Sequence, residues 1–141
     1  MQVVCPQCLA ANRVPDDRLG EEPICGKCKS ALLPSTAIEL SDATFSKFVN
    51  RSDVLVVVDF WAAWCGPCRT MAPAYEQAAG DLATAAVLAK LNTEASPQTA
   101  SGFGISGIPT LIVFRRGREL NRQSGAMSSS QIVQWVRQQG A

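Results

Sequence analysis

From Ala37 onward the chain alternates apolar runs with amphipathic stretches; before Ala37 it shows no sustained period of 2 or 3.6. Ala37-Ile38-Glu39-Leu40 reads as a short strand. Ser41 is placed to cap a helix through Val49, with Asp42 in the first turn, where a carboxylate faces the positive end of the helix dipole. Val54 to Phe60 is almost entirely apolar and mostly β-branched, as expected of a strand buried on both faces; Asp59 is its one charge. A helix is predicted over Cys68–Ala83, kinked at Pro73, and a strand over Val87–Leu91. Ser96-Pro97 opens a short helix to Phe103. Thr110–Phe114 reads as a strand, Arg116-Gly117 as a turn, and Glu119-Leu120 as the start of a return strand. Ser128 and Gln131 fit a capping box for a last helix whose Ile132, Trp135 and Val136 share one face. The order β-α-β-α-β-α-β-β-α predicts an α/β fold, with parallel central strands, helices on both faces and a final antiparallel hairpin.

Residues 1–33 are of another kind. They hold four of the six cysteines, interspersed with Pro6, Pro15, Gly20, Pro23 and Gly26, and are expected to bury little core alone. Residues 34–36 read as a linker, which gives a small module over 1–33 and a domain over 37–141. The whole chain, at 141 residues with 47% hydrophobic and 18% charged, can build a core without disulfide staples. Its net charge of +1 is spread without a block of like charges, so no nucleic-acid partner is expected. It contains no His, which excludes His-based catalysis and His metal ligands. No basic-then-apolar leader and no run of about 18 apolar residues is present, so neither secretion nor a membrane partner is expected. A cytoplasmic protein keeps its thiols reduced, and CxxC spacing then reads as metal binding or redox catalysis.

The first candidate site is Trp64-Cys65-Gly66-Pro67-Cys68. Cys65 follows a buried strand and stands where a helix begins, so the helix N-terminus would stabilise its thiolate. Gly66 permits close backbone approach, and Pro67 pre-sets a helical φ. Cys68 then lies in the first turn, within reach of Cys65. A strand-to-helix junction favours a redox pair, the alternative being half of a metal site completed by another pair.

The motif WCGPC after VVVDFWA, followed by KLNTE and by GISGIPTLIVF with FRRG, resembles the thioredoxin family over residues 37–141. That resemblance implies a thioredoxin fold, a central mixed sheet flanked by helices. It implies a protein-disulfide reductase in which Cys65 attacks and Cys68 resolves. The Gly66-Pro67 pair matches reductant members, whereas oxidase and isomerase relatives usually carry a His there. Asp59 matches the family's buried carboxylate, a base toward Cys68, and Lys90 stands in the next strand where it can pair with it. Ile108-Pro109 matches the family's cis-proline loop, although X–Pro bonds are cis in only ~5% of cases. Trp64, Gly107, Ile108, Pro109, Gly125 and Ala126 would line the substrate groove, with Trp61 as core support. Arg69 and Glu94 stand where Lys and Asp are more usual. The implied partners are thioredoxin reductase and oxidised protein disulfides, met by a monomer without an organic cofactor.

The second candidate site is Cys5, Cys8, Cys25 and Cys28, two CxxC pairs separated by sixteen residues. Four thiolates at this spacing suit one tetrahedral structural Zn²⁺ per chain, which would clamp a segment that lacks a core. Two disulfides or an iron–sulfur centre are the alternatives. Apart from the CxxC spacing the three pairs share no surroundings and do not read as an internal repeat. The segment sets Arg13, Arg18, Lys27 and Lys29 against Asp16, Asp17, Glu21 and Glu22 and holds no aromatic, which disfavours nucleic acid. A zinc-ribbon-like module followed by this domain resembles the bacterial thioredoxin-2 type over the whole chain. A zinc-linked redox sensor or binding module is the alternative role.

Overall fold

The computed structural model describes residues 1–140. The chain opens with an antiparallel pair, β1 (Gln2–Val4) and β2 (Ala11–Arg13), and a 3-10 turn over Asp16–Glu21. Then follow β3 (Ile38–Leu40), α1 (Phe45–Val49), β4 (Leu55–Trp61), α2 (Gly66–Asp81), β5 (Ala86–Asn92), α3 (Pro97–Gly102), β6 (Thr110–Arg115), β7 (Arg118–Ser124) and α4 (Ser129–Gln138). The main sheet has the order β3-β5-β4-β6-β7. It is a mixed sheet flanked by helices, as the sequence predicts.

Strand periodicity sorts the core. Val56, Val58 and Phe60 face one side, where they pack with Phe45, Phe48 and Val49 of α1 and Ala100 of α3. Leu55 and Val57 face the other, where they meet Met71 and Tyr75 of α2 and Ile132 and Val136 of α4. Asp59, in phase with Leu55 and Val57, therefore points toward the α2 side.

The strand directions differ from the sequence expectation at one place. β3, β5 and β4 run parallel, but β6 is antiparallel to β4. The segment between β5 and β6, which carries the six-residue α3, returns to the sheet at the end where β5 leaves it, and β6 runs against β4.

Two helix starts also shift. α1 begins at Phe45, three residues beyond the Asp42 start that a cap at Ser41 implies, and the Asp42 side chain is used elsewhere. The Asp42 carboxylate accepts the N–H groups of Gln98 and Thr99 at 3.2 and 2.8 Å, and so caps α3. Ser96, the expected cap of α3, instead accepts the Asp42 N–H at 3.1 Å. α2 begins at Gly66, two residues before the expected Cys68, and continues through Pro73. The capping box of α4 is formed as predicted, with Ser128 and Gln131 bonded reciprocally.

The segment before Ala37 is not coreless. Val3, Cys5, Val14, Cys25 and Leu32 are buried together, joined by Val54 from the far side of the linker. Val4 points the other way and is buried in the core of the main domain, with Leu9 and Leu33 packed beside it. Hydrogen bonds follow the same seam: the Gln2 N–H donates to the Asp53 carboxylate at 2.6 Å, and the Asp53 N–H returns to the Gln2 carbonyl at 2.9 Å. Arg51 donates to the Leu9 carbonyl at 2.7 Å, and Arg116 pairs with Asp53. The aperiodic sequence hides this because each part lends the other one valine.

Val4→Ala is expected to destabilise the main domain by about 2 kcal/mol. The measurement is urea unfolding followed by tryptophan fluorescence, since Trp61, Trp64 and Trp135 all lie beyond the linker. An unchanged midpoint would mean that the module does not brace the domain.

Candidate active site and metal centre

Strand β4 ends at Trp61, and Cys65 stands at the N-cap of α2 with extended backbone. Its Sγ accepts the N–H of Cys68 at 3.2 Å. Cys65 and Cys68 form a disulfide, their Cα atoms 5.2 Å apart. The first-turn amides and the helix dipole face the Cys65 sulfur, which stabilises it as a leaving group and as a thiolate. Both sulfurs are nearly covered, while the neighbouring Trp64 is 68% exposed. Arg69 donates to the Ala63 carbonyl at 2.7 Å and closes the loop behind the pair.

The loop before β6 meets this pair. The Ile108-Pro109 bond is cis, and Cys65 Sγ lies 3.7 Å from the Ile108 carbonyl oxygen. The Gly125 N–H donates to the Pro109 carbonyl at 2.9 Å, which draws the β7–α4 loop to the same place. Gly125 has φ +98°, a conformation that suits a residue without Cβ. Gly107 and Ala126 are exposed at the rims of these two loops.

Asp59 is 1% exposed, and its Oδ1 has no hydrogen-bond partner. Burial pushes its pKa up to about 7, with Lys90 pulling in the opposite direction. Lys90 is the register neighbour of Asp59 on β5. The two make no ion pair within 4 Å among the described residues; the Lys90 ammonium sits over the Trp61 ring, 4.7 Å from its centre. Lys90 thus acts on Asp59 through its field.

Sequence reasoning missed Tyr75. Its hydroxyl is fully buried on the α2 side and lies 3.0 Å from the Val57 carbonyl and 2.7 Å from that of Ala89, bridging β4 and β5. Burial first, and then the charge of Asp59, push its pKa well above the usual value. In the sequence Tyr75 is one more large residue on the stripe of Met71 and Ala78, and only its hydroxyl could have signalled more.

The other four cysteines converge. Cys5 and Cys28 sulfurs are 3.5 Å apart, Cys8 and Cys25 sulfurs 3.6 Å apart, and all four lie within 4.8 Å of one another. Four thiolates at about 2.3 Å from one tetrahedral ion would be spaced about 3.8 Å apart, so the donor set fits a single metal ion. The two loops that carry them are built alike, contrary to the reading that the pairs share no surroundings. Leu9 N–H donates to Cys5 O and Lys29 N–H to Cys25 O, at 2.9 and 3.0 Å. Cys5 N–H and Cys25 N–H donate to Ala10 O and Ser30 O, at 2.9 and 2.8 Å. Leu9 and Lys29 both take left-handed backbone, φ +65° and +67°. The repeat is one of backbone, and side chains alone do not reveal it.

A family model described as Thioredoxin matches residues 36–138, and one described as Thioredoxin 2, N-terminal, a zinc ribbon, matches residues 4–30. Over 139 residues the chain is 44% identical to thioredoxin C-3 of Corynebacterium nephridii, an alignment covering 99% of this chain and 95% of that one. It is 40% identical over 133 residues to the chloroplastic M-type thioredoxin of Chlamydomonas reinhardtii, covering 91% and 95%. It is 43% identical over 98 residues to a thioredoxin of Rhodospirillum rubrum, covering 70% and 94%. The chain belongs to the thioredoxin family, whose members are thiol–disulfide oxidoreductases. No helix among the described residues is long and apolar enough to cross a membrane.

The Asp59 carboxyl titrates near 3.8 when unfolded and near 7 when folded. The folded state therefore holds its proton longer, and stability falls as pH rises between those values. Asp59→Asn is expected to raise the free energy of unfolding at pH 8 by a few kcal/mol, a gain that shrinks toward zero near pH 4. Denaturant titrations at both pH values check it; a gain independent of pH would remove the buried charge as its cause.

Proposed function

We propose that this chain is a cytoplasmic protein-disulfide reductase whose centre is Cys65 and Cys68. The observation that carries this reading is Cys65 at the N-cap of α2, its sulfur facing the Cys68 amide and the Ile108 carbonyl. The reduced Cys65 thiolate attacks one sulfur of a substrate disulfide. A Cys65–substrate S–S bond forms, and the other substrate sulfur leaves as a thiolate and takes a proton. Cys68, deprotonated with Asp59 as the proton acceptor, then attacks Cys65 Sγ. The Cys65–Cys68 disulfide forms and the second substrate sulfur is released. Gly66 and Pro67 shape the turn between the two sulfurs. Lys90 tempers the basicity of Asp59 through its field.

The groove lined by Trp64, Gly107, Ile108, Pro109, Gly125 and Ala126 offers backbone groups to an extended substrate segment, in the manner of an added strand. Two electrons return from thioredoxin reductase, which holds its own flavin and NADPH; this chain binds no organic cofactor. The chain acts as a monomer on oxidised proteins, without nucleic acid or membrane. Cys5, Cys8, Cys25 and Cys28 hold one structural Zn²⁺, a closed four-thiolate site in the module over residues 1–33, joined by residues 34–36 to the domain over 37–141. A second reading, in which oxidation of the module releases zinc as a signal, is favoured by one observation: Cys28 is exposed, whereas Cys5 and Cys25 are buried.

The test is NADPH-coupled reduction of insulin disulfides with thioredoxin reductase, with zinc quantified on the same samples. Turnover is expected in the wild type, none in Cys65→Ser, and about one zinc per chain in both. A zinc-loaded wild type without turnover would overturn the reductase reading. Asp59→Asn is expected to slow the resolving attack of Cys68 at pH 7 by about tenfold or more. Single-turnover kinetics read that step directly, and an unchanged rate takes Asp59 out of the mechanism.

A further inference from the structure

Asn12 lies on β2, between the two outer cysteine pairs. Its side-chain oxygen accepts the N–H of Gly26, inside the second cysteine loop, at 2.9 Å. An N–H needs an acceptor, so this bond fixes which way the carboxamide faces. The amide nitrogen then donates to the Ala10 carbonyl, just past the first cysteine loop, at 3.1 Å, and to Cys25 Sγ at 3.6 Å. One short, half-buried side chain therefore touches both loops and one of the four sulfurs.

The two loops are otherwise closely alike. Cys5 Sγ receives the backbone N–H groups of Gln7 and Cys8, at 3.4 and 3.5 Å. Cys25 Sγ receives that of Lys27 at 3.3 Å, and Asn12 adds a side-chain donor, for which Cys5 has no counterpart among the described residues. Among side chains the two loops differ at Asn12, which reaches Cys25 Sγ, and at Ser30, whose Oγ lies 3.3 Å from Cys28 Sγ.

We propose that Asn12 is a positioning residue of the metal centre. Its carboxamide holds the two loops at the spacing a single ion needs, and it donates a hydrogen bond to the Cys25 thiolate. Partners of this kind orient metal-ligating groups, and their loss costs about 10–100-fold in metal affinity. The hydrogen bond also draws charge from the sulfur, so its removal makes Cys25 the stronger electron donor to the ion. The inference rests on the metal reading of the four cysteines.

The test uses the full chain, with Zn²⁺ in competition with a chromogenic chelator and Co²⁺ as a spectroscopic probe. Asn12→Ala is expected to weaken Zn²⁺ binding about tenfold or more and to move the thiolate-to-cobalt charge-transfer band to lower energy. Asn12→Asp keeps the acceptor for Gly26 but cannot donate to sulfur. It is expected to show the same band shift and no recovery of affinity. Wild-type affinity with an unshifted band in Asn12→Ala would overturn the proposal. So would full recovery of both in Asn12→Asp, which would leave a clamp without a bond to sulfur. Should the alanine variant fail to fold, the aspartate variant decides alone. A wild type that gives no tetrahedral thiolate–cobalt spectrum overturns the metal reading, and this proposal with it, before any variant is compared.

Discussion

Strand β4 is hydrogen-bonded along both edges and covered on both faces, and the end of the molecule that carries Cys65 and Cys68 depends on that enclosure. Its neighbours β5 and β6 take up its backbone groups, and helices cover the side chains above and below. A strand in this position accommodates apolar side chains, and an ionisable group there is held at a cost. Asp59 is that group. The same enclosure makes the strand a rigid support, so that Cys65, four residues beyond its end, is delivered to a fixed point at the start of α2. Position and proton affinity at this site therefore share one physical origin.

The six cysteines show how little the CxxC spacing fixes by itself. Between Cys65 and Cys68 the backbone turns into a helix, which brings the two sulfurs of one pair together. In the two outer loops a left-handed residue follows the second cysteine and reverses the chain. Each pair then faces the other across a gap suited to an ion. The backbone after the second cysteine separates the bonded pair from the two pairs whose sulfurs converge. It is helical in one case and reversed in the other two.

Much of the domain was legible because its signals are local. The apolar run of β4, the Ser128–Gln131 box and the dithiol at a strand-to-helix junction each lie within a few residues. What escaped depends on partners far apart in the chain. Asp42 reads as a first-turn residue of its own helix, yet it caps a helix more than fifty residues away. The antiparallel entry of β6 depends on the end at which the chain returns to the sheet, which the period of either strand does not reveal. Tyr75 passes for packing until its hydroxyl is found between two strands. Asn12 passes for a loop polar residue until the second cysteine loop closes over it.

Val4 and Val54 lie on opposite sides of the linker, and each is buried in the other part's core. The boundary between module and domain is thus a boundary of the polypeptide and not of the fold. An excised domain that began at Ala37 would carry an open slot where Val4 had been, and Asp53 would lose the amide it accepts. Such a fragment would differ from a single-domain relative in a specific way: its surface would retain the imprint of the part removed. Transplanting the module onto another thioredoxin would fail for the reciprocal reason unless the host supplied a valine at the foot of its central strand.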